Sequence, residues 1–287
     1  MSVCQYSLPF LFADDTNLFV HGNDVSNMVN ILNDELQAIT HWLKVNKLSL
    51  NVKKTHYMIF TTKKHMPTTL AIFMDGYAID RVKHTKFLGV YIDEKLNWKQ
   101  HISYLSRKIS RGIGIVTKTR RVLNSNALKT LYYSFIYPYF IYCNQVWGCA
   151  CKTTLYPLII LQKRCVRTIT RSRKYDHTDP LFSKLNLLKL QSINTYFISK
   201  LMYKWYHDEL PIVFKDIFIS VSNIHNYSTR QSNELYPPSV KTDLGKHRYS
   251  YQAVIIWNKL LKAKINPDTS EYVFSKSIKH CIQIGIL

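Results

Sequence analysis

The chain has 287 residues, 46% of them hydrophobic, which excludes a disordered protein and allows a sizeable core in one to three domains. Its formal charge of +21 is uneven: residues 1–94 carry nine Lys/Arg against nine Asp/Glu, residues 95–175 sixteen against none, and residues 176–287 fourteen against nine. The middle third is the electrostatic footprint of a polyanion partner.

The first predicted element is a β-hairpin. Two apolar runs, Leu8-Pro9-Phe10-Leu11-Phe12 and Leu18-Phe19-Val20, flank a small polar step that places Asp14 and Asp15 at or near a turn. Adjacent carboxylates repel unless a cation neutralises them, and Mg²⁺ takes carboxylate oxygens while leaving positions open for phosphate. A bare Asp-Asp pair is nevertheless most often a solvent-facing turn. Asn23-Asp24-Val25-Ser26 then supplies cap chemistry for a helix with apolar residues at Val25, Met28, Val29, Leu32, Leu36, Ile39, Trp42 and Leu43, ending near Lys44 to Asn46. The stretch Leu48 to Phe60 leads into a strand, Leu70–Met74 and Tyr77–Ile79 form a hairpin about Asp75-Gly76, and Phe87–Asp93 is a third strand with Gly89 inside it.

The acid-free segment reads as helical. Ile102, Leu105, Ile109, Ile113 and Val116 recur at helical spacing, weakened by Gly112 and Gly114 and decorated by Arg107, Lys108, Arg111, Lys118, Arg120 and Arg121. Asn124-Ser125-Asn126 caps a second helix that starts near Ala127 and runs toward Pro138. Residues 131–151 hold no charge and are long enough to raise a membrane span, but Pro138, Asn144, Gln145 and five tyrosines favour a buried helix pair. No membrane association and no signal peptide are expected. Leu155 to Lys174 is an amphipathic helix with Leu158, Leu161, Cys165 and Ile169 on one side and Arg164, Arg167, Arg171 and Lys174 on the other. A solvated charged face normally pairs acids with bases, and this one has no acid, so it is assigned to nucleic-acid phosphate. Asp179-Pro180 closes the segment, and further helices follow to Trp205, with a C-terminal part rich in Tyr, Arg and Lys. The six cysteines show no Cys-x-x-Cys pair, so no zinc knuckle is expected and they read as reduced core thiols of an intracellular protein, nuclear or cytoplasmic.

Phe12-Ala13-Asp14-Asp15-Thr16 between apolar runs resembles the catalytic palm hairpin of reverse transcriptases of retrotransposons without long terminal repeats. Leu48-Ser49-Leu50-Asn51, followed by Lys54-Thr55 and Met58, is similar to the next palm motif, and Phe87-Leu88-Gly89-Val90 to the primer-grip strand. Tyr-Pro-x-x-x-Tyr-Cys at 137–143, Val146-Trp147-Gly148, a Tyr-x-Thr-Arg element at 227–230 and Trp257-Asn258 also resemble segments beyond the palm in that family. The order of these motifs supports the resemblance more than any one of them.

The resemblance implies an α+β fold: a partial palm over 1–97, a basic, helical, thumb-like region over 98–175, and a helical, aromatic and basic region over 176–287. It implies Asp14 and Asp15 as catalytic metal ligands for Mg²⁺, and Lys54 as a catalytic charge near the incoming triphosphate. Phe87, Leu88, Gly89 and Val90 would position the primer terminus, and Arg107, Arg111, Arg164, Arg167, Arg171 and Lys174 would contact an RNA template and DNA primer. Thirteen residues precede Asp14, so the fingers and the first palm aspartate are expected in a missing N-terminal polymerase half. On that expectation the chain alone is inactive in two-metal nucleotidyl transfer. The alternative is a noncatalytic nucleic-acid-binding remnant of a mobile element.

Overall fold

The computed structural model describes residues 6–61, 70–224 and 234–286. They form two compact units, Met1–Leu96 and Asn97–Leu287, the first with small sheets around one helix and the second helical.

In the first unit, β1 (Leu8–Phe12) and β2 (Asp15–Phe19) pair antiparallel, with Leu8 opposite Phe19 and Phe12 opposite Asp15. Ala13, at φ 52°, and Asp14 make the two-residue turn. Helix α1 (Val25–Val45) starts where the Asp24 carboxylate accepts the Ser26 N–H at 3.0 Å. Further short strands complete the unit: β3 (His56–Tyr57), β4 (Phe73–Met74), β5 (Tyr77–Ala78), β6 (Asp80–Arg81), β7 (His84–Phe87) and β8 (Val90–Asp93). β3 runs parallel to β6, while β4–β5 and β7–β8 are antiparallel hairpins. The apolar side of α1 buries Leu36 against Ile72, Met74 and Ile79. Asn33 fixes that contact, donating to the Ala71 carbonyl at 2.9 Å and accepting the Phe73 N–H at 2.9 Å.

Two expectations change here. The strand after Leu48 shrinks to β3, because Val52–Lys54 coils into a 3-10 turn in which the Thr55 N–H reaches the Val52 carbonyl. The run from Phe87 is no continuous strand. Leu88 (φ 44°) and Gly89 (φ 84°) both adopt left-handed conformations and form the turn of a hairpin, with Phe87 opposite Val90.

The second unit contains α2 (Lys99–Thr119), α3 (Ser125–Phe135), α4 (Tyr137–Ile141), α5 (Asn144–Trp147), α6 (Lys152–Thr170), α7 (Asp179–Leu185), α8 (Leu190–Tyr206), α9 (Asp243–Lys246), α10 (Tyr249–Lys262) and α11 (Glu271–Gln283). One core joins Ile109 and Ile113 of α2 to Tyr132, Trp147, Leu158, Ile169 and Ile193. A second joins Ile198 and Met202 to Trp257, Leu260, Phe274 and Ile278. Both cores draw on α8. Gly112 does not interrupt α2: a Cβ there would lie 2.8 Å from Ile136 Cγ1 and 2.9 Å from the Phe135 carbonyl oxygen, so the glycine lets α3 approach.

The uncharged stretch forms three short helices instead of a pair. Ile136 leaves the helical region between α3 and α4 (φ −124°), and Cys143 turns left-handed (φ 50°) before α5. Among the described residues no helix is long and apolar enough to cross a membrane. Asp179-Pro180 opens α7, the first of the further helices expected after the basic segment, since proline's missing N–H costs nothing in a first turn.

Candidate functional site

The acidic turn is an exposed feature. Asp14 occupies the turn, Asp15 begins β2, and both are exposed. The apolar side chains beside them are exposed as well, including Leu8, Phe10, Leu11, Phe12 and Phe19. The hairpin is tethered at its root: Glu35 of α1, buried, accepts the backbone N–H groups of Tyr6 at 2.6 Å and Ser7 at 3.1 Å. Sequence reasoning missed Glu35, although an acid at a core position of an amphipathic helix was the available signal. As metal donors the two aspartates are an incomplete set, since among the described residues no group of three His, Cys, Asp or Glu side chains could hold an ion.

Lys54 is exposed at the end of the 3-10 turn. The next residues tie that turn to the third hairpin, because His56 Nδ1 donates to the Lys54 carbonyl at 2.9 Å and His56 Nε2 lies 2.6 Å from Thr85 Oγ1 on β7. That side-chain contact links β3 to β7, while the β3–β6 and β7–β8 pairs stay separate two-stranded sheets. The sequence motif did not single out His56, which makes both contacts.

The basic residues of the second unit divide by what holds them. Arg107 and Arg111 are exposed one turn apart on α2, and Arg164 is exposed on α6. Arg167 is half-buried and its Nε donates to the Asp176 carbonyl at 2.9 Å. Arg171 is the left-handed C-cap of α6 (φ 58°), and its guanidinium donates to the carbonyls of Arg120 and Leu123, each at 3.1 Å. Lys174 lies past the helix end, so the expected four-residue stripe is a correction: Arg164 and Arg167 share the helix, while Arg171 and Lys174 leave it. Among the described residues none of the ion pairs uses a basic residue of the 95–175 segment. Among the described residues, Arg167 and Arg171 donate to carbonyls instead, and Lys108 and Lys174 lie over tyrosine rings.

Several motif residues have structural work. Asn144, fully buried, donates to the Phe140 carbonyl and receives Asn194 Nδ2 on its own carbonyl at 3.1 Å and on Oδ1 at 3.0 Å. Gln162, also buried, donates to Tyr132 Oη at 3.2 Å and the Leu188 carbonyl at 2.9 Å and accepts the Leu190 N–H at 2.9 Å. Trp257 is core, and Asn258 clasps Leu235 through both its N–H and its carbonyl at 2.9 and 2.8 Å. The Tyr-x-Thr-Arg element at 227–230 lies outside the described residues. Cys149 and Cys165 are core thiols as expected, but Cys151 is a correction: half-buried at the head of α6, its sulfur lies 3.1 and 3.0 Å from the hydroxyls of Thr153 and Thr154, which bring the thiol down to about 7.

Comparison with known proteins agrees with the family resemblance. The curated homologues of this chain are RNA-directed DNA polymerases of jockey-like and other retrotransposons without long terminal repeats. Among them are the probable RNA-directed DNA polymerase from transposon BS of Drosophila melanogaster, 29% identical over 182 residues, and that of its transposon X-element, 22% identical over 191 residues. The RNA-directed DNA polymerase from mobile element jockey, of the same organism, is 25% identical over 183 residues. These matches cover 61%, 65% and 62% of this chain but 20%, 21% and 20% of the relatives, so the chain spans about a fifth of their length. No family model and no solved structure matches it.

Proposed function

We propose that this chain is the rear part of a retrotransposon RNA-directed DNA polymerase and that its own residues bind the RNA template and DNA primer. The observation that carries the reading is the 95–175 segment, with sixteen basic residues, no acid, and no ion pair among the described residues. Such a surface is electrostatically satisfied by phosphate. In this reading residues 1–97 are a partial palm, 98–175 a thumb-like support and 176–287 its helical extension, acting inside the cell.

Asp14 and Asp15 would supply carboxylates to Mg²⁺, Lys54 would face the triphosphate, and Phe87, Leu88, Gly89 and Val90 would hold the primer end. The two aspartates do not complete a metal site by themselves. The further donors are proposed to come from the part of such a polymerase that this chain does not span. In the left-handed turn at Leu88-Gly89 the exposed Gly89 leaves one tip position without a side chain, which suits close approach to a strand end.

The test uses exposed cations that no hydrogen bond engages among the described residues. Replacing Arg107, Arg111, Arg164 and Lys174 by glutamine should weaken binding to nucleic acid of any sequence. It should also reduce the log–log salt slope by about 0.7 to 0.9 for each phosphate no longer neutralised. An unchanged slope in a folded variant would show that these residues are only a solvated surface.

A further inference from the structure

The end of the second unit where α2 turns into α3 has a composition that phosphate contact alone does not explain. Arg171 builds it: by donating to the carbonyls of Arg120 and Leu123 at 3.1 Å each, it fastens the loop after α6 to the α2–α3 turn. That loop is closed on itself. The Asp176 carboxylate accepts the Arg173 N–H at 2.7 Å, and the Asp176 carbonyl receives Arg167 Nε. Its one acid is thereby engaged by backbone.

From this ordered surface two apolar side chains stand out into solvent, Val122 at 86% exposure and Tyr175 at 85%. Lys174 Nζ lies 5.4 Å from the Tyr175 ring centroid, and among the described residues no other ring packs on it. Arg121 is exposed next to Val122 and Arg120 is half-buried before it. Holding a tyrosine in water on a hydrogen-bonded loop forfeits the burial an aromatic ring usually gains. A ring among cations, with an open face, meets the two demands of an unpaired nucleotide: a π surface for the base and positive charge for the flanking phosphates. A duplex offers the phosphates without the free base face.

We propose that this end of the bundle binds an unpaired nucleotide of single-stranded nucleic acid, with Tyr175 stacking on the base and Arg121 and Lys174 contacting its phosphates. The inference rests on the nucleic-acid reading above and adds a preference that the reading does not contain. The full chain would be titrated by fluorescence anisotropy with a single-stranded RNA and with a duplex of the same length, across a range of salt. Tyr175→Leu should lose about five-fold or more in affinity for the single strand, the lower end of a stacking contribution, with its salt slope and duplex affinity unchanged. Tyr175→Phe should bind as wild type, and Arg121→Gln should lower the salt slope on both ligands. If Tyr175→Leu binds the single strand as wild type does while Arg121→Gln weakens both, the end is a phosphate contact and the stacking inference is overturned with the nucleic-acid reading intact. If wild type binds neither ligand, the nucleic-acid reading falls and this inference falls with it.

Discussion

Replacing Gly148 by alanine should destabilise the second unit by about 3 kcal/mol, a figure that follows from what surrounds one missing methyl group. A Cβ at Gly148 would lie 2.5 Å from the Asn144 carbonyl oxygen, 2.5 Å from Asn194 Nδ2 and 2.6 Å from Asn144 Oδ1. The first is backbone and cannot move alone. The other two belong to an amide pair, Asn144 buried and Asn194 half-buried, in which Asn194 donates twice to Asn144. Accommodating the methyl therefore combines overpacking, about 1–3 kcal/mol, with loss of two neutral hydrogen bonds of about 1 kcal/mol each, partly shared through the same displacement. The site also lies between the two cores, since Trp147 belongs to one and Cys149 to the other. Urea unfolding followed by tryptophan fluorescence is the suitable assay, because four of the five tryptophans (Trp98, Trp147, Trp205 and Trp257) belong to the second unit. A Gly148→Ala protein within about 0.5 kcal/mol of wild type would refute the reasoning, showing that α5 and α8 can separate freely.

Acid should also weaken the second unit through His101. Buried beside Trp147, its imidazole is held down to about 4 by desolvation. The unfolded chain therefore takes up the proton first: stability is complete above about pH 6.5 and falls as pH drops from there toward 4, by up to roughly 3 kcal/mol. His101→Gln should flatten this part of the stability–pH curve, and an unchanged slope in that variant would assign the acid sensitivity elsewhere. On the proposed reading, in which Asp14 and Asp15 are an incomplete donor set among the described residues, this chain by itself should give no extension product with Mg²⁺, an RNA template and an annealed primer. Template-dependent product that Asp14→Asn abolishes would show that this chain holds a complete site.

Much of the architecture was legible because local chemistry and packing agree in it. The acidic hairpin, the Asp24-capped helix and the Asp75-Gly76 turn each combine apolar spacing with residues that fit one backbone geometry. The Leu88-Gly89 turn was hidden because leucine is a poor marker of a left-handed position, so the pattern resembled one continuous strand. The basic stripe was overextended for a related reason: helical spacing alone does not show that Arg171 ends the helix by turning left-handed. Gly112 looked like a weakness until α3 supplied the reason for it. Glu35, Gln162 and Asn194 escaped notice because their partners are backbone groups or amides distant in the chain, and nothing in a linear pattern marks those pairings.

The first hairpin governs how this protein must be handled in solution. Its ribbon carries exposed phenylalanines, and among the described residues no third strand pairs with either edge. Ladder groups left open in this way are a template for adding a strand from another molecule. The formal charge of +21 opposes such encounters by keeping copies apart at low ionic strength. Added salt shortens the reach of that repulsion to about 10 Å at 0.1 M, while leaving the apolar ribbon as adhesive as before. On the proposed nucleic-acid reading, the salt that weakens phosphate contacts also promotes self-association, and the bound and aggregated populations should trade places along one ionic-strength axis.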